Sequence, residues 1–506
     1  MVRRTFAAGA ALLLSGRALA VVHARRVLDV RMAGARGDGR TLDTAAFNRA
    51  MADLERSGGG TLRVPAGRYL CFSIRLRSNL RIVFEPGAVL VAADPALHAG
   101  AYDAPEPAEG LYQDFGHSHW RNSLLWGEEV DNLVIEGPGR IEGDGLTRNG
   151  PGARWSAGPG ERPLSMAAMS AEAIARLEPE RAAMNGLGNK ALALRGGRGV
   201  RVSGLTIARG GHMAILATGT RALVLENLVI DTERDGIDLD GVRDALVRDC
   251  RVNTPNDDAI VVKASLALGR PVASENVVIR GCQVSGFDLG TLLDGTFGRS
   301  QRLAPDRDRV TGRIKLGTES NGAFRNVLIE DCRFLHCRGL ALETVDGAVM
   351  ENVVARRLVM EGVTSAPVFV RLGRRLRGPA GTAPGAVRGV SIGEITARGI
   401  ETPLPVILAG LAERAIGSVH LHAIDLTFDG GGEAFTGTVP DRAEAYPEPS
   451  MFGVLPAWGL WARHVERLHI EDFVARTLRH DARAPMVLEN VADPRLSGVH
   501  FDNAGH

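Results

Sequence analysis

The chain has 506 residues, 45% of them hydrophobic and only 5% aromatic, with 62 glycines and a formal net charge of +1. The apolar fraction suffices for a large core, and the near-neutral balance supplies no basic face for nucleic acid or an anionic membrane. Beyond the N-terminus no segment approaches the roughly 18 apolar residues of a membrane span.

At the start, Arg3 and Arg4 precede an apolar run over 6–14 and then Ala18-Leu19-Ala20. This is the order of a secretory signal peptide over residues 1–20, in a twin-arginine form, and it predicts a periplasmic or extracellular protein. Residues 21–506 read as one domain, since no linker divides them. Ala35-Arg36-Gly37-Asp38-Gly39, a helix over Thr44–Arg56 and the segments 58–62 and 64–69 form an expected N-terminal cap. The stretch 96–190 is an irregular insertion rich in Gly and Pro, with Trp120, Trp126, Trp155 and a predicted helix over 170–185. Insertions of this length commonly wall a groove.

From about 191 to 425 the chain repeats. Leu205-Thr206-Ile207, Leu228-Val229-Ile230, Cys250-Arg251-Val252, Cys282-Gln283-Val284, Cys332-Arg333-Phe334 and Leu358-Val359-Met360 are spaced by 23, 22, 32, 50 and 26 residues. Each unit alternates with period two and is punctuated by turns such as Glu226-Asn227, Glu275-Asn276 and Arg325-Asn326. Short alternating strands at this period predict a solenoid whose coils stack apolar residues on one another. The fold expected is all-β, a single-stranded right-handed parallel β-helix with an N-terminal capping helix. A leucine-rich repeat is disfavoured because its Leu-x-x-Leu-x-Leu pattern is missing. A second insertion, 295–312, interrupts the ladder. Cys250, Cys282 and Cys332 share one phase, which predicts a buried stack of thiols in place of a disulfide framework. No Cys-x-x-Cys pair or His-rich spacing suggests a metal, and no cofactor is expected. Near the end, Tyr446-Pro447-Glu448-Pro449, Trp458, Trp461, Arg463 and His464 concentrate aromatic and polar groups.

One repeat separates Asp235, in Glu233-Arg234-Asp235-Gly236-Ile237-Asp238, from Asp257 and Asp258, in Asn256-Asp257-Asp258-Ala259-Ile260. On a β-helix, repeat equivalents lie about 4.8 Å apart, so the three carboxyls meet. Acid–base hydrolysis needs one protonated carboxyl for a leaving oxygen and an ionised one to activate water. Crowded aspartates supply both, because mutual repulsion raises at least one pKa.

These aspartate motifs, the block 37–67 and Ile260-Val261-Val262-Lys263 together resemble glycoside hydrolase family 28, the polygalacturonase and rhamnogalacturonase family. The resemblance implies an inverting hydrolase of pectic or related acidic polysaccharides or oligosaccharides, with Asp257 as the acid and Asp235 and Asp258 on the water. Asp238 and Lys263 fall within the same motifs as substrate-binding candidates. The family's Gly-His-Gly has no counterpart at Ser285-Gly286-Phe287-Asp288-Leu289-Gly290, and His212 is the candidate to replace its histidine. The family's Arg-Ile-Lys occurs as Arg313-Ile314-Lys315, but repeat phase matches it to the stretch 338–343, where Ala341 and Glu343 stand instead. Either Arg313 and Lys315 act from a neighbouring coil, or the sugar is not galacturonate. Asp288, Asp294, Glu319 and Glu343 are candidates for sugar hydroxyls, and Arg371, Arg374 and Arg375 for a uronate carboxylate. Trp458 and Trp461 are candidate stacking platforms. Closure of the groove by the insertions predicts exo action, and a monomer is expected. A polysaccharide lyase and a non-catalytic adhesin are the alternatives on this fold.

Overall fold

The computed structural model describes residues 26–107, 112–148, 170, 172–173, 181–304, 309–401 and 403–505. The signal segment 1–20, Trp155 and half of the helix expected over 170–185 lie outside them. Among the described residues no helix is long and apolar enough to cross a membrane.

The chain winds as a right-handed parallel β-helix. Through its central coils each strand pairs in parallel with the third strand after it, so three strands complete a turn. The six segments aligned by spacing lie in one register: Ile207, Ile230, Val252, Val284, Phe334 and Met360 are successive partners. Insertions of very different length between them are absorbed outside the ladder. In later coils the bend between two sheets becomes continuous strand, as in Val349–Val363 and Ala386–Ile400.

Alternation fills the interior. Inward residues such as Ile237, Leu239, Ile260, Val262, Ile314 and Leu316 belong to one continuous core, stacked coil on coil. At one bend Asn276, Asn326 and Asn352 adopt left-handed φ values of 56°, 53° and 55°. Asparagine tolerates that region better than most residues, and here each amide also reaches the coil before it, Asn326 to Asn276 at 3.0 Å and Asn352 to Asn326 at 3.3 Å. All five cysteines are free thiols and buried. At the N-terminal end the helix α1, Thr44–Arg56, buries Phe47, Ala50, Met51 and Leu54 over the first coil, covering an edge that would otherwise pair with another chain.

Six successive strands of one sheet carry the site: β1 Met213–Thr218, β2 Asp235–Asp240, β3 Ile260–Ala264, β4 Ile314–Ser320, β5 Leu340–Thr344 and β6 Val368–Leu372. Every residue of these strands is buried. Segments from elsewhere in the chain cover the outward face of this sheet, whose inward face is core. Trp120 anchors one of them, donating to Thr218 at 3.0 Å and packing with Met213 and Leu216.

Candidate active site

Asp235 opens β2, and Asp257 and Asp258 lie in the turn that leads into β3. Gly236 lets these coils close up, because a Cβ there would sit 2.5 Å from the Ala259 carbonyl oxygen. The Asp258 amide donates to Asp235 Oδ1 and Asp257 Oδ1, each at 3.1 Å. One oxygen from each of the three carboxyls lies within 4.8 Å of the others. The end of the second insertion fixes the turn from outside, with Thr311 Oγ1 donating to the Asp257 carbonyl at 2.6 Å and Gly312 N at 2.9 Å.

The three aspartates differ in their partners. Arg234 donates to Asp257 Oδ2 at 2.8 Å, and Arg313 Nε donates to Asp258 Oδ1 at 2.8 Å, with Lys315 Nζ 3.3 Å from Oδ2. Asp235 has the Lys263 ammonium at 3.7 Å. Burial first, then the charges of Asp238 and Asp257, push the Asp235 pKa well above the ordinary carboxylate range. Asp235 is thereby pushed toward its neutral form, whereas the family resemblance gives the acid role to Asp257.

Asp238 lies on the outward side of β2, 3.0 Å from Lys263 Nζ; burial raises it to about 6 despite that ammonium. Glu319 stands on the other side of Lys263 at 3.6 Å, with Arg375 at 3.5 Å and Arg377 at 3.7 Å. Lys263 is desolvated, but Asp238, Asp235 and Glu319 around it hold its pKa well above the usual lysine value. It is a charged hub for three carboxyl groups.

Two histidines meet here, and only one was expected. His117, on the short helix α2, Phe115–Ser118, comes from the first insertion and brings Nε2 into contact with Lys263 Nζ and to 3.9 Å from both Asp235 and Asp238. His212 packs edge-on to it, ring centroids 6.2 Å apart, and its Nδ1 is 2.8 Å from the Arg148 carbonyl. Gly116 makes this approach possible, since a Cβ there would lie 2.5 Å from the His212 ring. Burial lowers both histidines well below the usual imidazole value, so both are neutral. His117 carries no motif, and only the fold brings it to the aspartates.

The register places Arg313 and Lys315 on the coil adjoining Asp257-Asp258, since Val261 pairs with Lys315. Ala341 is one coil further, opposite Lys315. The basic pair therefore adjoins the aspartates. Glu343 lies 3.4 Å from Lys315 and 3.8 Å from Arg313, and burial raises its pKa to about 7. Glu448 reaches in from the late aromatic segment to Arg313 at 3.2 Å and to Arg338 at 2.5 Å. Tyr446, beside it, sits under Lys315 and Arg375 and is 3.1 Å from Thr318 Oγ1.

Several expected residues are placed elsewhere. Asp288 spends its oxygens on Ser300 and Gln301 within its own loop, at 2.6–2.9 Å. Asp294 caps Thr296 in the same loop and lines a separate cavity of about 440 Å³ with Arg140, Arg209 and Asp231. Arg371 is buried one coil beyond Glu343, its guanidinium turned to the carbonyls of Gly410 and Arg442 at 3.2 and 3.0 Å. Arg374 pairs on the surface with Glu413 at 2.8 Å. Trp458 and Trp461 are fully buried core residues, Trp458 edge-on to Phe428 and Phe501, so neither offers a face to a sugar. In each case chain-internal partners had already claimed the group.

Asp235/Asp257/Asp258 and His117/Asp235/Asp238 each bring ligand atoms within 4.8 Å. Lys263, Arg234, Arg313 and Lys315 already stand against these carboxylates, so a divalent cation would join a site whose negative charge is compensated.

No protein-family model matches the chain. A probable polygalacturonase from Vitis vinifera is 24% identical over 335 residues, covering 62% of this chain and 60% of the relative. The match thus spans less than two thirds of that protein. Among solved structures, an exopolygalacturonase from Thermotoga maritima superposes with TM-score 0.56 and 21% identity, covering 80% of this chain and 87% of its own. A family 28 exopolygalacturonase from Yersinia enterocolitica gives TM-score 0.58 and 14% identity, covering 94% and 78%. At such identities the structures speak for the fold, and fold alone does not give activity. In sequence and in fold together, the chain is a family-28-like protein, a right-handed parallel β-helix similar to the polygalacturonases of glycoside hydrolase family 28.

Proposed function

We propose that the chain is an exported glycoside hydrolase that cleaves pectic or related acidic polysaccharides by acid–base catalysis, releasing sugars from chain ends. The observation that carries this reading is the cluster of Asp235, Asp257 and Asp258 on adjoining coils, with one carboxyl driven toward its neutral form and two paired with guanidinium groups. A neutral acid beside charged carboxylates is the pairing that glycosidic hydrolysis needs.

The far end of the site supports an acidic sugar. Arg313, Lys315 and Arg338 face Asp258, Glu343 and Glu448, and Glu343 is partly protonated below its pKa of about 7. Under mildly acidic conditions that end carries surplus positive charge for a uronate carboxylate. Exo action is supported by the cover over the sheet, which leaves Asp235, Asp257 and Asp258 only 3%, 5% and 5% exposed. A chain end enters so enclosed a site more readily than the middle of a polymer.

Inversion is the stereochemistry the family resemblance supports. Retention is the alternative outcome for two carboxyls flanking one glycosidic bond. Proton NMR of the first-formed anomer decides between them. Incubation with homogalacturonan and rhamnogalacturonan, read by mass spectrometry, tests the reaction itself. Saturated monomeric or short terminal products are expected; unsaturated uronates would assign a lyase, and binding without turnover an adhesin.

A further inference from the structure

A second constellation lies on another sheet, remote in sequence from the aspartates and independent of the proposed hydrolysis. Strands β7, Ile416–Gly430, and β8, Ala457–Arg479, pair in parallel with His420 opposite His469 and His422 opposite Glu471. Leu421 and Ile470, between them, are fully buried in the core. Alternation therefore sets all four polar residues on the outer face as a two-by-two patch. His420 and His422 are half-buried, and His469 and Glu471 are exposed.

The groups are close enough to share an ion. His420 Nε2 lies 3.5 Å from Glu471 Oε2, and the rings of His420 and His469 stack with centroids 4.6 Å apart. One ligand atom each from His420, His469 and Glu471 lies within 4.8 Å of the other two. Around a tetrahedral ion with bonds of about 2.1 Å, ligands stand about 3.4 Å apart, a distance small ring rotations reach. His420 Nε2 is shielded from solvent and has Glu471 as its polar neighbour. His422 is 4.8 Å from His420 between ring centroids, and it leans over Gly393, where a Cβ would strike its ring at 2.2 Å. Arg495, next along the rung from His469, is 3.4 Å from Asp493.

We propose that His420, His469 and Glu471, with His422 at the margin, form a surface site for a zinc-class divalent transition metal that clips two adjoining coils together. Imidazole nitrogens with one carboxylate suit zinc, nickel or copper and not calcium or magnesium, which prefer all-oxygen cages. Because the ligands come from separate coils, binding to the folded chain stabilises it by mass action.

The test uses tag-free, chelator-treated full chain titrated with Zn²⁺ against a chromophoric competitor, with Co²⁺ absorption reporting tetrahedral ligation and melting read with and without metal. One tight equivalent and a rise in Tm are expected in the native chain and in Asp257→Asn. His420→Ala and His469→Ala should each weaken binding at least tenfold and abolish the Tm rise, while melting like the native chain when metal-free. No binding by the native chain would overturn the proposal. So would binding that survives both histidine substitutions, or that is lost in Asp257→Asn, since either places the metal elsewhere.

Discussion

Arg234 immediately precedes Asp235 in the chain yet donates to Asp257 on the next coil, across 2.8 Å. One strand start thereby supplies both a carboxyl pushed toward its neutral form and the guanidinium that pairs with its neighbour. The two aspartates are unequal before any substrate arrives, and their inequality is measurable.

Asp235→Asn and Asp257→Asn should each reduce kcat by about 10²–10⁴-fold, the usual worth of a positioned acid or base. Their pH–rate profiles should differ. If Asp235 holds the catalytic proton, its replacement removes the alkaline limb that Asp257→Asn leaves in the residual activity. Loss of that limb in Asp257→Asn alone would return the acid role to Asp257.

Arg313 is buried among Asp258, Glu343 and Glu448. Arg313→Met leaves those carboxylates short of a cation in a low-dielectric setting and should destabilise by about 3–5 kcal/mol. Arg313→Lys should recover part of this stability but not the affinity for an acidic substrate, since the planar fork is lost. Chemical denaturation and KM on an oligouronide check the two effects separately.

Glu343 has a raised pKa, about 7 against 4.5. The sign follows from proton binding: the folded state holds this proton more tightly, so the contribution is complete below about pH 4.5 and is lost as pH rises through about 7. Stability of Glu343→Gln relative to the native chain should therefore improve across that interval, by about 3 kcal/mol. Denaturant midpoints measured from pH 4.5 to 7.5 in both proteins give the difference directly.

Asn326 sits at a left-handed φ of 53° and links the amides of Asn276 and Asn352. Asn326→Ala loses two bonds and meets backbone strain, and should cost about 2 kcal/mol. Asn326→Gly loses the bonds alone and should melt above the alanine variant. Equal melting would mean that the amide ladder carries the whole effect.

The solenoid and the acid cluster were legible because both follow from short-range rules. Period-two alternation sets each side chain's face, and a recurring spacing sets which residues stack; the register from Ile207 to Met360 runs as the spacings imply. His117 was not legible, because a loop outside the repeat delivers it and nothing in Phe115-Gly116-His117-Ser118 encodes its destination. In the sequence Glu448 stands only within an aromatic and polar concentration, and its partner Arg313 is 135 residues away. Asp288, Asp294 and Arg371 carried the right chemistry, but loop amides, a neighbouring threonine and carbonyl oxygens use it locally.

By itself the sequence determined the repeat, the capping helix, the thiol stack and the meeting of Asp235 with Asp257 and Asp258, since each depends on periodicity that stacking converts directly into distance. Only the tertiary structure decided what faces those aspartates and what their charges become. Partner and desolvation depend on where irregular segments return, as His117, Glu448 and Arg375 do here. The same holds for His420 and His469, distant along the chain and brought ring to ring by the register of two coils.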